Sequence, residues 1–250
     1  MSVKIPEIKE MFLAGMHFGH KKEHSHPKAK EYIFGLRDGV NVIDLTKTQE
    51  FLKLVLEFIV REVKIGKVFL FVGTKKQIKQ SVKDAAVKSE MPYIAQRWLG
   101  GILTNFETIR KGIKYLEDSE AKIADESSDL TKKERTLLDK EVNKQKEIYD
   151  GIRKMKELPD YLLIIDPVKE HNAVSEAKKK HIPIVAVCDT DANPNKVDWF
   201  IPANDDAKSS VEIVMNLIAE TIVGAKKDLE KKSDKVVEDK KDTKTEKSEE

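Results

Sequence analysis

Cysteine is nearly missing from this chain: one thiol, Cys188, stands among 250 residues, so no internal disulfide can form and packing must supply the stability. Long apolar runs are missing too. The longest, residues 161–165 and 182–188, fall far short of the ~20 residues that cross a bilayer, which excludes a membrane helix. An apolar secretory core is absent from the first ten residues, where Pro6, Glu7 and Glu10 stand instead; the expected setting is cytoplasmic. Net charge is almost absent: 46 Lys and Arg oppose 44 Asp and Glu, leaving +2. A bulk cationic field therefore cannot be the argument for a nucleic-acid partner.

What is present is charge sorted along the chain. Residues 64–88 hold seven Lys against one acidic residue, Asp84. Residues 17–37 hold five basic residues, two acidic ones and four His, whereas 189–206 hold five Asp and only Lys196. The small total hides a basic early half and an acidic late stretch. Forty per cent apolar residues suffice for a core, and the length allows one large domain or two small ones.

Near-continuous apolar runs at 67–72, 161–165 and 184–187, with shorter ones at 40–45, 93–95 and 200–201, read as strands. Helical spacing marks 5–14, a helix opened by a capping box at Thr46-Lys47-Thr48-Gln49, and the segments 76–89 and 207–224. Buried strands alternating with helices predict a doubly wound parallel α/β sheet over 1–104 and 158–224. Residues 105–157 break the alternation. Phe106, Ile109, Ile113, Leu116 and Ile123 form one narrow stripe, and Leu138, Val142, Tyr149 and Ile152 a second, opened by a capping box at Thr131–Glu134 after the polar Ser127-Ser128-Asp129. Two such helices predict an antiparallel coiled-coil hairpin, inserted as a solvated arm. From residue 225 to 250 nine Lys alternate with nine acidic residues and periodicity vanishes, which predicts a disordered tail.

Four groups of residues bear on chemistry. Asp166, Asp189 and Asp191 follow buried strands and would suit a Mg²⁺-dependent phosphohydrolase, although an Asp closing a strand is commonly a turn former. Gly73-Thr74-Lys75-Lys76 offers a helix start and two cations to an anion but lacks both glycine-rich nucleotide signatures. His17, His20, His24 and His26 lack further Cys or His at zinc spacing. Polar histidines packed in a loop are one reading of them, and a mixed metal site joining His17 or His20 to Asp189 or Asp205 is the other. Arg97-Trp98-Leu99-Gly100-Gly101 suits either RNA contact or the anchoring of the following arm.

Met11-Phe12-Leu13-Ala14-Gly15-Met16-His17-Phe18-Gly19-His20, Phe71-Val72-Gly73-Thr74-Lys75, Arg97-Trp98-Leu99-Gly100-Gly101-Ile102-Leu103-Thr104-Asn105 and Ile201-Pro202-Ala203-Asn204-Asp205-Asp206-Ala207 together resemble the bacterial small ribosomal subunit protein S-two family. The collinear likeness runs over residues 8–224. It implies a flavodoxin-like fold with an inserted coiled-coil hairpin, and a non-catalytic component of the 30S subunit seated between head and body on 16S rRNA. The implied partners are 16S rRNA and neighbouring ribosomal proteins, including ribosomal protein one. No cofactor, membrane or small-molecule substrate is expected. With local charge added, Lys21, Lys22, Lys28, Arg37, Lys75, Lys76 and Arg97 are expected at phosphates, Trp98 buttressing or stacking beside them. Asp191, Asp205 and Asp206 are expected to face a protein partner or the domain's own N-terminal loop.

Overall fold

A computed structural model describes residues 5–125 and 131–245, with side chains through Leu229. The chain opens with α1 (Ile8–Leu13), β1 (Phe18–Lys21), two 3-10 turns (Lys22–His24 and Pro27–Tyr32), β2 (Ile33–Arg37) and β3 (Val40–Ile43). Then follow α2 (Leu45–Val63), β4 (Phe69–Val72), α3 (Lys79–Ser89) and β5 (Tyr93–Ile94). Two long helices come next, α4 (Phe106–Ala124) and α5 (Lys132–Tyr149). The remainder is β6 (Tyr161–Ile165), α6 (His171–Lys179), β7 (Ile184–Cys188), β8 (Trp199–Pro202) and α7 (Lys208–Thr245).

The main sheet is parallel with order β5-β4-β6-β7-β8. Counting its strands in chain order gives 2-1-3-4-5, consistent with a flavodoxin-like sheet. Its pleat divides one strand between two cores. Phe69 and Phe71 join Leu163, Ile165, Val185, Val187 and Ile201 under α2, α3 and α7. Their neighbours Leu70 and Val72 join Leu162, Ile164, Ile184 and Ala186 under α6 and the start of α4. Burial on both faces is why these strands read as unbroken apolar runs.

A second sheet, antiparallel and ordered β1-β3-β2, is built from residues read in the sequence mostly as loop. Its β2–β3 turn is Asp38-Gly39, both at positive φ (50° and 80°), since Arg37 pairs with Val40. This is the geometry of a two-residue hairpin turn that matches strand twist. Two further expectations are corrected. The cap of α2 is Asp44, whose carboxylate accepts the Thr46 N–H, and the helix starts one residue later at Leu45 rather than at a Thr46 box. The last helix continues past Gly224 to Thr245, because Lys, Glu and Ala favour helix and no Pro interrupts them. Of the tail expected to be disordered, residues 246–250 lie outside the described residues.

Helices α4 and α5 run beside each other. Lys146 pairs with Glu120 at 3.0 Å, and Arg153 reaches both Glu117 and Glu120. Between these two cations in sequence, Tyr149 packs so close to α4 that a Cβ placed on Gly112 would stand 2.9 Å from its hydroxyl. Ile109, Ile113 and Leu116 are buried on α4, and Val142 on α5. Thr131 opens α5 with a reciprocal box to Glu134. The polar turn at Ser127-Ser128-Asp129 lies outside the described residues.

Candidate functional site

In a sheet of this order ligands bind beyond the carboxyl ends of the strands, where the order reverses between the first and third. Here that place is filled by the chain itself. Lys75, just after β4, sends its Nζ to Asp166 Oδ2 at 2.6 Å, Asp205 Oδ1 at 2.7 Å and Asp206 Oδ1 at 2.7 Å. Burial opposes the Lys75 charge, but these carboxylates outweigh it and hold its pKa above the ordinary lysine value. Asp166 sits at φ 62°, a conformation Asp tolerates, and its Oδ1 accepts the N–H groups of Val168 and Lys169. Asp205 is 1% exposed, and burial together with Asp166 pushes its carboxyl well above the usual range.

The N-terminal sheet closes this end. The backbone N–H of His20 donates to Thr190 Oγ1 at 2.9 Å, and that of His26 to the Thr190 carbonyl at 2.8 Å. A Cβ on Gly19 would lie 2.6 Å from Thr190 Cγ2, so only glycine admits this approach. Asn204 ties the other end of the segment down, donating from Nδ2 to the Gly15 carbonyl and accepting from Asp206 and Ala207 at the start of α7. The His20 imidazole then lies 3.2 Å from Asp189 Oδ1, 3.9 Å from Asp191 Oδ1 and 3.6 Å from Asp206 Oδ2. The Asp189 carboxylate, against the opposing effect of burial, raises the His20 pKa to about 9.

This shift has a sign. A folded pKa of about 9 against 6.5 unfolded means a stabilisation fully present below pH ~6.5 and lost as pH rises through 9. Its size is on the order of 2 kcal/mol. The urea midpoint of the native chain is therefore expected to fall further between pH 7 and pH 10 than that of His20→Gln. Equal falls would refute the assignment.

The phosphohydrolase reading loses its site here. Asp166 is paired with Lys75, Asp189 is 1% exposed and covered by His20, and Asp191 faces the same imidazole. His17 does not join them: it stacks on Phe12 at 4.2 Å and lies 4.0 Å from Phe18, with burial lowering its pKa. Among the described residues, no group of three or more His, Cys, Asp and Glu side chains is arranged to hold a metal ion.

The expected phosphate-binding set divides. Lys75 is corrected: at 13% exposure and with three carboxylates it has no face left for RNA. Trp98 is corrected likewise as a stacking platform, being 7% exposed with its Nε1 donating to Glu176 Oε1 at 3.0 Å. Asp205, buried to 1%, cannot reach a partner. Lys21, Lys22, Lys28 and Arg37 are exposed on the N-terminal sheet and its turns, and Lys76 and Arg97 on the loops after β4 and β5. Of these, Lys76 and Arg97 follow the carboxyl ends of β4 and β5, and Lys21 ends β1, whose His20 is held to Thr190 just after β7.

Sequence reasoning missed Glu176, the residue that organises the Arg97–Asn105 loop. It collects N–H groups from Gly101 at 2.8 Å, Leu103 at 3.0 Å and Thr104 at 3.1 Å, besides the Trp98 indole and the Thr104 hydroxyl. A Glu on an amphipathic helix gives no sign of this, because its donors arrive from a loop more than 70 residues upstream. Burial would raise its pKa, but the donated hydrogen bonds prevail and lower it.

A family model described as Ribosomal protein S2 matches residues 11–225. A small ribosomal subunit protein uS2 of Chlorobium chlorochromatii (strain CaD3) is 42% identical over 221 residues, 88% of each chain. A protein of the same description from Dictyoglomus thermophilum (strain ATCC 35947 / DSM 3960 / H-6-12) is 42% identical over 233 residues, 93% of this chain and 95% of that one.

Proposed function

Because the chain belongs to the ribosomal protein S2 family, we propose that it is a structural, non-enzymatic component of the small ribosomal subunit that binds 16S rRNA between head and body. The observation carrying the RNA contact is the exposed set Lys21, Lys22, Lys28 and Arg37, none of which has a carboxylate partner among the described residues. Lys76 and Arg97, exposed on the loops after β4 and β5, add to it. These cations position the protein on phosphates without reading sequence, and a handful of contacts gives a shallow salt dependence. The near-neutral total is no obstacle, since Asp189 and Asp205 of the acidic late stretch are buried against His20 and Lys75.

In this reading α4 and α5 form a coiled-coil hairpin inserted into the sheet domain, an arm toward neighbouring components. Docking of ribosomal protein one is part of the same proposal. Of the acidic residues expected to face a protein partner or the N-terminal loop, Asp206 is 50% exposed while reaching Lys75 and His20.

Reversing Lys21, Lys22 and Arg37 to Glu is expected to reduce co-sedimentation with 30S particles by more than about fivefold while leaving the urea midpoint unchanged. Unchanged incorporation in a sucrose gradient would sink the RNA assignment. Lys75 is unsuited to this test because its loss acts on the fold.

A further inference from the structure

The loops that leave the carboxyl ends of β4 and β5 carry the exposed Lys76 and Arg97, and α6 holds both of them. Glu176 on that helix collects the donors of the loop after β5. Glu170, the N-cap of the same helix, serves the loop after β4. Its side chain is 4% exposed and accepts from the Thr74 N–H at 3.0 Å and the Thr74 hydroxyl at 2.6 Å, both on Oε1. The residues around Thr74 are fixed as well. Gly73 lies so close to α3 that a Cβ there would stand 2.8 Å from Val82 Cγ2, and Lys75 is held by three carboxylates. Gln77 donates from Nε2 to Asp206 Oδ1 at 3.3 Å. Of residues 74–77, Lys76 is the one whose side chain has no hydrogen bond or ion pair among the described residues, and it is exposed.

We propose that Glu170 is a positioning residue for RNA binding: it never touches RNA, but it anchors Thr74 so that Lys76 meets a phosphate from a loop already in order. The proposal rests on the RNA-binding reading above and adds to it a buried carboxylate that strengthens the hold on an anion. That sign distinguishes positioning from charge. A carboxylate acting by its charge alone repels phosphate, so its removal would tighten binding. A positioning carboxylate does the reverse, because a loop released at Thr74 must be ordered again when phosphate binds. Glutamine separates the two roles further. Both Thr74 donors meet at a single oxygen, and an amide supplies one acceptor oxygen, so Gln can replace Glu170 without loosening the loop. Glu176 has no such substitute, since its donors are divided between two oxygens.

The test adds the full chain to 30S particles lacking it and reads affinity from co-sedimentation over a protein titration. Glu170→Ala is expected to bind about fivefold weaker, the effect of one side chain that must be ordered on binding. Glu170→Gln is expected to bind at least as tightly as the native chain. Lys76→Ala should lose about as much as Glu170→Ala, and adding Glu170→Ala to it should lose nothing more, because both act through one contact. Should Glu170→Ala lower the urea midpoint, Thr74→Val, which removes the hydroxyl bond alone, carries the same cycle with Lys76→Ala. Native or tighter binding by Glu170→Ala, weakened binding by Glu170→Gln, or losses that add in the double variant each overturn the proposal. Native affinity in Lys76→Ala, with the Lys21, Lys22 and Arg37 reversal still weakening binding, overturns the positioning role and leaves the RNA reading standing. Native affinity in both sinks the two together.

Discussion

Lys75→Met is expected to destabilise the chain by about 3–5 kcal/mol, because it leaves Asp166, Asp205 and Asp206 facing one another around a space that no longer holds a cation. On the scale of a domain worth ~5–15 kcal/mol, that is a large fraction. Methionine matches the stem of lysine, so lost packing contributes little and the effect isolates the charge. The deficit should shrink at pH 4.5, where the buried Asp205 carboxyl, held above the usual range, takes up a proton and the repulsion eases. It should shrink at pH 7 as well when Asp205→Asn is added. Urea denaturation at both pH values measures it, and a loss under about 1 kcal/mol at pH 7 would show that Lys75 does not hold the strand ends together.

Glu176→Ala is expected to cost a similar amount, about 3–5 kcal/mol, for the opposite reason: it removes an acceptor and strands donors. The Trp98 indole and Leu103 N–H are buried beyond ready hydration, whereas Thr104 is exposed and can turn to water. Glu176→Gln should fall between, since an amide offers one acceptor oxygen where the carboxylate offers two. The sign with pH follows from the lowered pKa: the stabilisation is present above pH ~4.5 and is lost as pH falls through the folded value. Trp98 fluorescence reports the change directly, with a red shift in Glu176→Ala before global unfolding. Native-like emission together with an unchanged urea midpoint would refute the role.

The two sites differ in how much of them could be read in advance. Strands β4, β6 and β7 were legible because helices cover both faces, so the runs at residues 69–72, 161–165 and 184–188 are apolar without interruption. Thr131 and Glu134 announced a helix start correctly, yet the same motif at Thr46 and Gln49 did not mark the cap, since Asp44 stands directly after β3 and takes the first free N–H. Strands β1 and β2 were not legible. They are short, polar and glycine-containing, and they exist through pairing with β3 and the seat of Gly19 on Thr190.

Charge followed the same rule. Its sign at each position was plain, but its availability was not. Lys75 and Lys76 are indistinguishable as neighbours in sequence; the fold encloses one among carboxylates 130 and 131 residues downstream and leaves the other exposed. Trp98 and Arg97 part in the same way, the indole turned inward to Glu176.

The sequence by itself determined the layered α/β class, the buried strands, the two long helices and the family likeness, because those depend on local periodicity and on collinear motifs. Only the tertiary structure decided which of the sorted charges face outward. An ion pair between segments more than a hundred residues apart is created when the sheet closes, and no spacing along the chain encodes which cation it will consume.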